Sequence, residues 1–131
     1  MSGLKKLLYC HTIRASSFGE SIAIAVRSYD HIFTTEGENP FNSLFEADGI
    51  VFVGSQTRKL ASSVFENKDD YYEFIDEAHD AGKRVAAVLN KQTFLPGYNK
   101  NIDFVVRADK GVKTIKDIAK ELTQYFDTQI F

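Results

Sequence analysis

The chain of 131 residues has no Trp and one cysteine, Cys10. A lone cysteine cannot close an internal disulfide, which points to a reducing, cytoplasmic setting. No apolar run reaches the roughly 20 residues of a membrane-spanning helix, and Leu7 to Cys10, behind Lys5 and Lys6, is too short a stretch for a secretory signal. Basic excess is missing as well. Sixteen Lys and Arg against 18 Asp and Glu give a net charge of -2, which does not supply the phosphate neutralisation that nucleic-acid binding draws on. The expected partner is therefore a small molecule, with no nucleic acid and no membrane, while homo-oligomerisation is left open.

Several chemical signatures are also absent. There is no G-x-x-x-x-G-K-[ST] loop and no G-x-G-x-x-G, which argues against an ATPase and an ordinary dinucleotide-binding fold. His11, His31 and His79 stand far apart, without H-x-x-x-H spacing or a second cysteine, so no metal site is supported. Gly54-Ser55-Gln56-Thr57 is not a G-x-S-x-G elbow, and Ser55 reads as a hydrogen-bonding loop residue rather than a nucleophile. No internal repeat or low-complexity segment appears.

What the chain does have is apolar mass, 44% hydrophobic residues with 11 Phe and 6 Tyr, enough to fill the core of one domain over residues 1–131. Its most informative stretch is Asp48-Gly49-Ile50-Val51-Phe52-Val53-Gly54-Ser55-Gln56-Thr57. A short apolar run without polar alternation suits a strand covered on both faces, and it empties into a polar loop. In open α/β sheets ligands sit outside the carboxyl ends of the strands, where Ser55, Gln56 and Thr57 would then fall.

Similar logic orders the rest of the chain. Leu4 to Cys10 reads as a first strand, followed by the polar loop His11 to Ser17. A helix follows, with Ser17 and Glu20 as a capping box and Phe18, Ile22, Val26 and Tyr29 along one face. His31 to Thr35 is a second strand, and Glu36 to Pro40 is turn chemistry. Phe41 to Ala47 is a brief helix before the central strand. A long polar connection, Arg58 to Lys68, leads to a helix over about 69–81 with Tyr71, Phe74, Ile75 and Ala78 on its apolar face. Gly82 stops this helix and Lys83 suits its carboxyl end. Arg84 to Leu89 and Asp103 to Arg107 are further strands, separated by a polar loop containing Pro96-Gly97. The last helix, about 114–126, buries Ile115, Ile118, Ala119, Leu122 and Phe126, with Thr114 and Asp117 as its capping box. Five strands separated by helical connections predict a three-layer α/β, flavodoxin-like domain with a parallel sheet in the order 2-1-3-4-5.

In that order the loops after the first and third strands face one another. His11 stands at the mouth of the first, and either touches a ligand or is a plain loop residue. Thr12, Arg14, Ser16 and Ser17 offer hydroxyls, a guanidinium fork and free helix amides to an anion such as a phosphate. The alternative is that Ser17 is only an N-cap and Arg14 a solvated charge. The acidic set Asp69, Asp70, Glu73, Asp76, Glu77 and Asp80 has two readings too. A carboxylate beside the ligand loop could stabilise the positive charge that develops as an N-glycosidic bond breaks. Alternatively, Asp69 and Asp70 oppose the helix dipole while Glu73, Glu77 and Asp80 form a solvated face.

The stretch Glu46 to Thr57, then Tyr72-Glu73, then Gly82-Lys83-Arg84-Val85, resembles TIR domains, particularly the TIR-like proteins of bacterial antiphage systems. The first strand and its Thr12-Ile13-Arg14 loop are similar also to nucleoside 2-deoxyribosyltransferases. Both resemblances imply cleavage or transfer of the bond between a ribosyl carbon and a base nitrogen, with NAD or a deoxynucleoside as substrate. They imply Glu73 as the catalytic carboxylate, Ser55 and Thr57 as ribose or base contacts, and Arg14 and Ser16 as phosphate contacts. A third resemblance, of Gly54 to Thr57 and Thr12 to Ser17 to the loops of flavodoxins and flavin reductases, implies FMN, with Phe94 and Tyr98 stacking on the flavin. A non-catalytic, ligand-sequestering or interaction domain is the remaining alternative.

Overall fold

A computed structural model describes residues 5–11, 16–35, 41–54, 68–89, 102–107 and 114–129. The strands are β1 (Lys6–His11), β2 (Asp30–Thr35), β3 (Gly49–Gly54), β4 (Arg84–Leu89) and β5 (Phe104–Arg107). The helices are α1 (Ser16–Ala25), α2 (Phe41–Leu44), α3 (Lys68–Asp80) and α4 (Ile115–Gln129). All strand pairings are parallel and the sheet runs β2-β1-β3-β4-β5, the flavodoxin-like order that the sequence implies.

The continuous apolar runs are explained by burial on both faces. Leu7, Tyr9, Val51, Val53, Ala86 and Val88 project to one side and pack under α1 and α4, against Ile22, Ala23, Ile118, Ala119, Leu122 and Phe126. Leu8, Cys10, Ile50, Phe52, Val85 and Ala87 project to the other, against Leu44, Ala47, Phe74, Ile75 and Ala78. Phe52 and Phe74 meet edge-on, with ring centroids 6.0 Å apart, and tie the central strand to α3.

Local chemistry sets the ends of the helices. Gly82 has φ +76°, and its N–H donates to the His79 carbonyl at 3.0 Å while Lys83 N–H donates to the Ala78 carbonyl at 2.9 Å. This pair of bonds is a Schellman motif, closing α3 where the sequence stops it. At α4 the capping box forms: Asp117 N–H donates to Thr114 Oγ1 at 3.1 Å, and Thr114 N–H to Asp117 Oδ2 at 3.2 Å. The expected cap at Ser17 is corrected. α1 begins at Ser16, so Ser17 lies inside the first turn, exposed, with its carbonyl accepting from the Ser21 hydroxyl at 2.9 Å. The face read at helical spacing is otherwise buried, but Val26 and Tyr29 lie beyond the end of α1, and Phe18 is only partly covered. Tyr29 reaches across to α4, where its hydroxyl donates to Asp127 at 2.6 Å.

Among the described residues no helix is long and apolar enough to cross a membrane.

Candidate functional site

At the carboxyl edge of the sheet β1 lies between β2 and β3, with His11 paired in register to Thr35 on one side and Val53 on the other. Gly54 pairs with Leu89 of β4. From this point the chain diverges. The connection leaving β1 leads to α1 on one face of the sheet, and that leaving β3 leads to α3 on the opposite face. Such divergence between neighbouring strands is the topological switch point, where doubly wound sheets open a crevice for ligands.

Of the candidate ligand residues, His11 ends β1 and Ser16 begins α1, so the backbone sets both beside this crevice. Ser17 follows in the first turn, which carries no acidic residue to compete with an anion for the helix amides. Thr12, Arg14, Ser55, Gln56 and Thr57 lie outside the described residues, as do Phe94 and Tyr98.

Glu73 is exposed in the second turn of α3, directly before the buried Phe74. Glu77 and Asp80 are exposed too, and Asp76 is partly covered; the side chains of Asp69, Asp70 and Tyr71 are outside the described set. The polar face expected of this helix is therefore present, and Glu73 belongs to it. His31 on β2 and His79 in the last turn of α3 are exposed on separate elements.

Cys10, next to His11, is not a candidate nucleophile. It is fully buried on the α3 side of the sheet, and burial pushes its thiol pKa far up, leaving the unreactive protonated form. Tyr9, packed on the other side, is pushed up by burial in the same way.

Two further carboxylates are tied into the opposite, amino edge. Lys6 N–H donates to Asp48 Oδ2 at 2.9 Å while Asp48 N–H donates to the Lys6 carbonyl at 2.8 Å. Asp103 repeats this arrangement one strand pair away: Val85 N–H donates to its Oδ2 at 3.0 Å and its own N–H to the Val85 carbonyl at 2.8 Å. Arg84 adds an ion pair to Asp103 Oδ1 at 3.7 Å. These acids extend the β1–β3 and β4–β5 ladders, a structural duty that sequence reading missed. The available signal was an Asp immediately before each of these strands.

No protein-family model matches the chain, and no curated protein matches it.

Proposed function

We propose that the chain is a nucleotide- or nucleoside-binding domain that cleaves or transfers an N-glycosidic bond, in the manner of TIR-like enzymes or nucleoside 2-deoxyribosyltransferases. The observation that carries the reading is the switch point between β1 and β3, with His11 at its centre and the amino end of α1 beside it. In this reading Arg14, Ser16 and Ser17 hold a phosphate, and Ser55, Gln56 and Thr57 hold the ribose or base. His11 and Thr12 line the first loop. Glu73 faces the ribose and stabilises the positive charge that grows on it as the base departs; a carboxylate in that role favours the transition state over bound substrate.

The test is direct. The protein is mixed with NAD and, separately, with each deoxynucleoside, and free base is followed by chromatography, with a second base added as acceptor to reveal transfer. Release of nicotinamide supports the TIR-like form, and base exchange between deoxynucleosides supports the transferase form. Absence of base release from every compound would refute the catalytic reading. Titration with FMN distinguishes the flavodoxin-type alternative, because a bound flavin brings absorbance near 450 nm and protein that takes up no FMN does not carry electrons through one.

A further inference from the structure

We draw no further inference here: the strongest candidate, the shallow groove between β5 and α4 lined by Phe104, Glu121, Gln124 and Tyr125, carries nothing because Tyr125, whose hydroxyl lacks a hydrogen-bond partner among the described residues, is itself only partly buried, and nothing in the structure shows what covers its stacked ring and that of Phe104.

Discussion

Gly49 and Phe126 are in such close approach that a Cβ on Gly49 would stand 2.6 Å from Phe126 Cε1 and 2.9 Å from Leu7 Cδ2. Both neighbours are fully buried, so neither ring nor methyl can step aside into solvent. Gly49→Ala should therefore destabilise by about 1–3 kcal/mol through overpacking. Shortening the ring in Phe126→Leu should relieve part of this, so the double variant should lose less than the sum of the two single losses. Urea unfolding of the four proteins measures the coupling, and strict additivity would mean that the two residues do not touch.

The central strand and the ligand loops should respond differently to alanine. Phe52 is fully buried against Phe74, and Phe52→Ala should cost about 3–5 kcal/mol from lost burial and the cavity left behind. Arg14→Ala, Ser55→Ala and Thr57→Ala change residues that the sequence assigns to ligand loops, and they should melt with the wild type. Thermal unfolding of the set checks both halves of this expectation.

Gly82 poses a different problem from Gly49, since a Cβ there meets nothing within 4 Å and only its φ of +76° resists substitution. Gly82→Ala should cost about 1–2 kcal/mol as a left-handed backbone penalty. Gly82→Asn should cost less, because a short polar side chain tolerates that conformation. Equal losses for the two variants would indicate that backbone conformation is not the cause.

Stability should fall on the alkaline side. Burial, assisted by Asp103 and opposed by Arg84, pushes the Tyr125 hydroxyl up to about 12. Burial, with the Asp127 hydrogen bond and the charges of Asp127 and Asp48, raises Tyr29 as well. Folded phenols thus keep protons that unfolded ones release above about pH 10. Their contribution is complete below that pH and is lost as pH rises through the folded values. Denaturant midpoints measured across this range should drop, and Tyr125→Phe should drop less steeply than wild type.

Glu73 separates enzyme from binding module. If it acts on charge that develops only in the transition state, Glu73→Gln should abolish base release while leaving ligand affinity within about a few-fold. Its exposure means that the melting temperature should hardly move. Full activity in Glu73→Gln would reject the assignment, and Asp70 and Glu77 would be the next carboxylates to replace.

Sheet order and strand positions were legible because the apolar runs are short, continuous and separated by helical periodicities; Arg84–Leu89 matches to the residue. Caps written in neighbouring residues, such as Thr114 with Asp117 and Gly82 with Lys83, were legible for the same local reason. At α1 the pattern misled. A serine followed by Glu at the capping interval resembles a cap wherever it falls, and the helix had already begun at Ser16. Val26 still closes the last turn, its N–H donating to the Ile22 carbonyl at 3.0 Å, but Tyr29 keeps the helical spacing beyond the helix end because periodicity reports which residues are buried, not whether the backbone between them is helical. The Gly49–Phe126 approach and the Tyr29–Asp127 bond join residues far apart in the chain, which no local pattern encodes. For the candidate site, the described residues include only the strand and helix ends that flank it, His11, Gly54, Ser16 and Ser17, while Thr12, Arg14, Ser55, Gln56 and Thr57 lie outside them.

The paired aspartates at the amino edge bear on how neighbouring strands find their alignment. A hairpin fixes the offset of its two strands through the turn, but β1 and β3, like β4 and β5, are joined through longer connections. Their side chains give little guidance, since Ile50–Val53 sliding by two residues along Leu7–Cys10 would still present apolar groups to both helical layers. Asp48 and Asp103 break that near-equivalence: each carboxylate meets a free strand N–H at one offset only, and a slipped pairing would forfeit both hydrogen bonds. They act as index marks, setting the zero from which the height of His11 beside Val53, at the far end of the same strands, is counted.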